Sequence, residues 1–217
     1  NAATVPDFLK TDTAVAQGVA ALAIAWNPAS GTPKPAEWAD LAKPEYKDLV
    51  NLPDPAKSGS AFELVAALSA EGDMTVFEDL AGNGAIVAGA NADALNPVLQ
   101  GAKAAVFGAV DYISFNAKAQ GESIEVIFPE SGTVIAPRPV MIMNWSQNQD
   151  DAKKFVDYIL SDAGQALVAK QNLMPARGDV AAARPLIADL TILPIDADAV
   201  YGKRAETLAT FAKVFAK

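Results

Sequence analysis

The stretch Glu37–Pro55, EWADLAKPEYKDLVNLPDP, runs almost directly into Lys57-Ser58-Gly59-Ser60, and its reading decides the fold. Glu37 to Leu41 fits one helical turn, and Asp48 to Leu52 fits a short strand. Pro53 and Pro55 hold the next segment extended, because a proline pushes the residue before it out of the helical region. Ser58-Gly59-Ser60 then feeds a helix, since Ala61 to Ala70 is apolar and rich in strong helix formers. Strand, glycine-bearing loop and helix in that order make the unit of an α/β fold. Such a helix entry offers backbone N–H groups, two hydroxyls and the positive helix end, which suit a phosphate or carboxylate. Gly59 permits close backbone approach. The same tripeptide also serves as a plain N-cap.

The alternation continues on both sides. Upstream, Gly18 to Ala25 (GVAALAIA) reads as a buried strand ended by Trp26, Asn27 and Pro28, with a loop from Ala29 to Pro35. Downstream, Thr75 to Leu80 reads as helix or connection, Ile86 to Ala88 as a small strand, and Asn91 to Gln100 as a helix bearing Pro97. Ala104 to Val110 is an apolar strand, Ser114 to Gln120 a short helix closed by Gly121, and Ser123 to Phe128 an alternating strand. Val140 to Met143 reads as a further strand. Gln149 to Leu160 has helical apolar spacing with Asp150 and Asp151 in its first turn. Ser161 caps a helix through Ala169, and Ala199 to Lys217 closes the chain as a helix. The fold class is α/β, expected as two lobes.

Composition narrows the chemistry. The net charge of −9 argues against nucleic acid and against an anionic membrane surface. A locally positive pocket remains compatible with it. The sequence has no cysteine and no histidine, which excludes disulfides, Cys/His zinc sites, thiol nucleophiles and Ser-His-Asp triads. No apolar run reaches the length of a membrane span. No nucleophile–base pair and no nucleotide or metal motif stands out, so neither an enzymatic reaction nor a cofactor is expected. Asn1 is not a natural start, so a processed chain or a fragment is expected.

Three segments together resemble the ferric-iron-type periplasmic solute-binding proteins of ABC importers. Glu37–Pro55 with Ser58-Gly59-Ser60 resembles that family's Trp, Asp-Leu, Pro-x-Tyr-Lys, Pro-x-Pro stretch and its Ser-Gly-Ser/Thr loop. Gly121 to Thr133, GESIEVIFPESGT, resembles its second inter-lobe crossing. Asp151 to Val180 resembles its C-terminal helix pair and Pro-Ala-Arg turn. The resemblance implies a type 2 periplasmic-binding-protein fold, two α/β lobes joined by crossing strands, with one lobe incomplete. Residues 1–26 would be the first crossing strand and a remnant of lobe 1. Residues 27–128 would form a complete lobe 2, and residues 129–217 the second crossing and the C-terminal part of lobe 1. It implies an N-terminally truncated chain, a periplasmic location, a small anionic ligand in the inter-lobe cleft and ABC permease subunits as partners. The full-length protein would be a monomer, and the truncated chain would be open to a swapped assembly or a dimer.

The resemblance also nominates residues. Ser58, Gly59 and Ser60 would hold the anion, and Asn91 matches an asparagine that reaches it in the family; as a bare feature Asn91 is a helix cap. Iron binders carry a Tyr-Tyr pair where this sequence has Asp111-Tyr112. That departure implies that Asp111 accepts from ligand hydroxyls or an amine, with Tyr112 and Ser114 adding polar contacts. The bland alternative is a solvated aspartate and a packed tyrosine. Ser131 and Thr133 follow the second crossing. Arg138, held between Pro137 and Pro139, suits bidentate capture of phosphate or carboxylate, or is a surface arginine. Arg177 is a weaker candidate of that kind. Trp26 and Asn27 would line the cleft or pack a hinge. The implied ligand is a small phosphorylated or phosphonate organic anion, the alternative being ferric iron with a synergistic anion.

Overall fold

A computed structural model describes residues 1–69 and 72–216. The expected helix ends at Ala70 and Lys217 lie outside the described residues. In chain order the elements are β1 (Val15–Trp26), β2 (Val50–Pro53), α1 (Gly59–Leu68), α2 (Thr75–Gly82), β3 (Ile86–Ala88), α3 (Asn91–Leu99), β4 (Ala105–Val110), α4 (Asp111–Ala119) and β5 (Glu125–Ile127). Then follow β6 (Ile135–Val140), α5 (Gln149–Ile159), α6 (Asp162–Lys170), β7 (Met174–Pro175), α7 (Ala197–Gly202) and α8 (Arg204–Phe215).

The chain divides into two compact units. The larger holds Ala21–Val134 and Leu190–Lys217, the smaller Asn1–Ala20 and Ile135–Asp189. These limits differ from the expected 1–26, 27–128 and 129–217. The C-terminal residues join the larger unit because Phe211 of α8 packs edge-on against Phe77 of α2 at 5.4 Å. Phe77 in turn meets Phe107 of β4, which lies 4.7 Å from Trp38. These rings, with Phe62, Leu64 and Leu80, form the core.

In the larger unit the strand order is β3-β2-β4-β1-β5. β2 runs parallel to β3 and β4, whereas β1 is antiparallel to β4 and β5. Residues Val19 to Ala25 of β1 are wholly buried, as expected for a continuous apolar run covered on both faces. Ala23 pairs with Ala109 and Ala25 with Val106, so Ile24 opposes two residues of β4. Gly108 accommodates this bulge with φ +78°, a conformation that glycine adopts without strain.

In the smaller unit the start of β1 pairs with β7 through Gly18–Pro175 and Val19–Met174, and also with β6. Gln165 of α6 is fully buried; its Nε2 donates to the carbonyls of Gln17 and Ile159, and its Oε1 accepts from Ala176 N–H. Ser161 caps α6 by accepting from Gly164 N–H. The strand expected over Val140 to Met143 lies instead at Ile135–Val140. Pro137 and Pro139 mask it in the sequence, although an edge strand tolerates prolines. The single helix expected from Ala199 is two helices, meeting at Lys203. Among the described residues no helix is long and apolar enough to cross a membrane.

Candidate functional site

Because β2, β3 and β4 are mutually parallel, their carboxyl ends share one edge of the sheet, and α1, α3 and α4 begin there. This edge is where open α/β sheets place their ligands. The loops touch one another: Asp54 N–H, after β2, donates to the carbonyl of Gly89, after β3, at 2.8 Å.

The start of α1 carries the Ser58-Gly59-Ser60 entry. Ser58 is the N-cap, its Oγ accepting from Ala61 N–H at 3.2 Å. Gly59 and Ser60 occupy the first two helical positions, whose N–H groups have no intrahelical acceptor. Gly59 is exposed, and a side chain built there would meet nothing within 4 Å. Ser60 Oγ lies 3.3 Å from Ser58 Oγ. No acidic residue stands in the first turn, so the dipole end is not neutralised from within the helix. Just before it, Asp54 accepts from Ala56 N–H, and Lys57 approaches its carboxylate at 3.8 Å.

The start of α3 carries Asn91, whose Oδ1 is buried with no hydrogen-bond partner among the described residues. Asp93, in the same turn, accepts from Ala90 N–H at 2.8 Å. At α4 the structure departs from the ligand-contacting role expected of Asp111. Asp111 is fully buried, its Oδ2 accepting from Ala21 N–H at 2.8 Å and its Oδ1 from Tyr112 N–H at 2.6 Å. The cause is that α4 starts at residue 111, directly after β4, so the carboxylate folds over its own helix entry. Ser114 is also fully buried, with its Oγ lacking a partner among the described residues. Tyr112 is half-buried at the same edge.

The remaining candidates separate. Thr133 lies against β1 at this end: Oγ1 donates to the carbonyl of Leu22, whose N–H donates to Val134. It is buried and serves as a clamp. Ser131 is exposed and donates from N–H and Oγ to the Glu37 carboxylate. Arg138 belongs to the smaller unit, on β6. Arg177, in that unit too, is buried and engaged by Asp162 at 2.7 Å and Asp179 at 2.6 Å, which makes it a structural ion pair. Trp26 donates to Thr32 Oγ1, and Asn27 bonds Val98, Ala29 and Ser123, so both pack the strand end. Asp54 and Asp93 escaped the sequence reading, although an acid three residues after Ala90 is a helix-start signal. Among the described residues no three Asp, Glu, His or Cys side chains gather as a metal site.

Residues 2–203 match the family model described as bacterial extracellular solute-binding protein. An uncharacterised protein of Haemophilus influenzae is 30% identical over 138 residues, 62% of this chain; the match spans only 40% of that relative's length. Among solved structures, the periplasmic binding protein AfuA from Actinobacillus pleuropneumoniae, bound to exogenous fructose-6-phosphate, has a TM-score of 0.79 at 22% identity, over 99% of this chain and 74% of that one. The ferric binding protein from Campylobacter jejuni has a TM-score of 0.74 at 21% identity, over 97% and 73%. The substrate-binding protein of an Agrobacterium tumefaciens ABC transporter has a TM-score of 0.79 at 18% identity, over 98% and 70%. At these identities the structural likeness is one of fold alone.

Proposed function

We propose that this chain, which belongs to the bacterial extracellular solute-binding protein family and has a type 2 periplasmic-binding-protein fold, captures a small phosphorylated or phosphonate organic anion in the periplasm for an ABC importer. One observation carries the reading: the entry of α1 presents Ser58, Gly59 and Ser60 with two uncommitted helical N–H positions, open space and no acid in the turn. Those features answer a phosphoryl group's need for several short donors and a positive field. Asn91 and Tyr112, at the neighbouring helix starts, supply further polar groups for the organic part. The fructose-6-phosphate bound to AfuA speaks for the same ligand class at this level of fold similarity. Binding without turnover is the expected activity.

Isothermal titration with hexose phosphates, aminoalkyl phosphonates and polyamines tests the proposal. Saturable binding confined to the phosphorus-containing compounds supports it, and binding of none of them sinks it. Ferric iron is the second reading, favoured by Tyr112 at the same edge and by the similar ferric binding proteins. Against it, the Asp111 carboxylate is committed to two backbone N–H groups. A tyrosinate–iron colour that Tyr112→Phe abolishes would establish iron instead.

A further inference from the structure

Helix α1 contains a single acid, Glu63, and it stands one turn behind the Ser58-Gly59-Ser60 entry. Glu63 follows Ser60 by three residues and Gly59 by four, so the three share one stripe of the helix, where Cβ positions lie about 5 to 6 Å apart. Long helical side chains lean back toward the N-terminus, over the turn before their own. In a capping box a glutamate reaches back three residues to a backbone N–H at a helix start. By the same reach the Glu63 carboxylate is aimed at the N–H groups of Ser60 and Gly59, the groups that a phosphoryl ligand would use. In the structure its Oε1 instead accepts from the hydroxyl of Tyr201 at 2.8 Å, across 138 residues of chain. Tyr201 lies on α7 and belongs with α1 to the larger unit. Its ring is seated 5.5 Å from that of the buried Phe62, and the Arg204 guanidinium, at the start of α8, lies over the same Phe62 ring at 4.4 Å. Burial first, and then the hydrogen bond to Glu63, push the Tyr201 hydroxyl up to about 12, so it remains protonated and able to donate.

On these grounds, and resting on the reading of the α1 entry as a phosphoryl site, we infer that Tyr201 is a positioning residue: by donating to Glu63 it draws that carboxylate toward α7 and keeps the entry available to an external anion. Glu63 is then an internal competitor of the ligand. Without the tyrosine hydroxyl its carboxylate turns back along the stripe to the N–H groups of Gly59 and Ser60, with which it makes charge-assisted hydrogen bonds. A phosphoryl group must then displace it, and the apparent affinity falls in proportion to the time for which the entry stands open. The contact between α7 and α1 thus acts on binding without touching the ligand.

The test is isothermal titration of the full chain with fructose-6-phosphate, in the parent, in Tyr201→Phe, in Glu63→Gln and in the double variant. Tyr201→Phe keeps the ring against Phe62 and removes only the donor, and with Tyr201 48% exposed the variant should fold. Its affinity is expected to be about fivefold weaker than the parent's, as for an entry that the carboxylate fills about four-fifths of the time. Adding Glu63→Gln should bring the affinity back to within about twofold of the parent's, because an uncharged amide competes poorly for those N–H groups. A purely structural role of the tyrosine would give no such rescue. Glu63→Gln alone should bind at least as tightly as the parent, and it remains decisive if Tyr201→Phe fails to fold. Parent-like affinity in Tyr201→Phe overturns this inference and leaves the phosphoryl site standing. A loss that Glu63→Gln does not restore, or weaker binding in Glu63→Gln alone, does the same. Absence of binding by the parent overturns both.

Discussion

The Oδ2 of Asp111 accepts the backbone N–H of Ala21 at 2.8 Å, joining residues 90 apart in sequence at the point where β1 enters the larger unit. The same carboxylate caps α4 through Tyr112 N–H. One buried side chain thus fixes both the entry of the central antiparallel strand and the start of a helix on the candidate edge.

Asp111→Ala leaves two backbone N–H groups without their acceptor in a buried setting, a loss of about 3 kcal/mol. Asp111→Asn retains one acceptor oxygen and should lose about half as much. Urea unfolding monitored by circular dichroism measures both. Variants within about 0.5 kcal/mol of the parent would show that the carboxylate does not tie β1 to α4.

Ser58 and Ser60 separate capping from binding. Ser58→Ala removes the N-cap acceptor and should cost about 1 kcal/mol of stability. Ser60→Ala leaves the Ala61 N–H to Ser58 Oγ cap bond in place and removes only the long Ser58–Ser60 hydroxyl contact, so its stability should stay within about 0.5 kcal/mol while hexose-phosphate affinity falls several-fold. Titration calorimetry beside thermal melts distinguishes the two; unchanged affinity in Ser60→Ala would remove its hydroxyl from the site.

Gly108→Ala forces a side chain onto φ +78° and brings its Cβ to 2.8 Å from Leu64 Cδ2, between β4 and α1. Strain and overpacking together should cost about 2 kcal/mol, read as a lowered urea midpoint with an unchanged m-value.

Asp40 supplies a pH signature. Lys43, first of all, and the N–H groups of Ala36 and Glu37 hold its carboxyl down at about 2, below the ordinary aspartate value of 3.8. A depressed carboxyl contributes stability that is present above the unfolded value and is lost as pH falls through the folded one. Asp40→Asn should therefore trail the parent by about 1 kcal/mol at pH 6, with the difference closing between about pH 4 and pH 2. A difference that stays constant down to pH 2 would contradict this assignment.

Much of the fold is legible in the sequence because apolar runs and caps are local signals. GVAALAIA marks β1, AAVFGAV marks β4, and Ser161 marks the start of α6. What escapes depends on tertiary context. The strand Ile135–Val140 is hidden because Pro137 and Pro139 are tolerated only where a strand lies at a sheet edge, which the local sequence does not reveal. The docking of α8 onto Phe77 depends on contacts far apart in sequence. For the site, the Ser58-Gly59-Ser60 entry is readable because cap, glycine and helix are contiguous. The role of Asp111 is not readable, because its decisive partner, Ala21, is distant in the chain.

The central claim is that the entry of α1 receives a phosphoryl group, and amide NMR reads it most directly. Titrating the ¹⁵N-labelled protein with fructose-6-phosphate should produce large, saturable downfield shifts of the Gly59 and Ser60 amides, with smaller changes at Asn91 and Tyr112. Saturable binding that leaves the Gly59 and Ser60 amides unmoved, or no binding at all, would contradict the account.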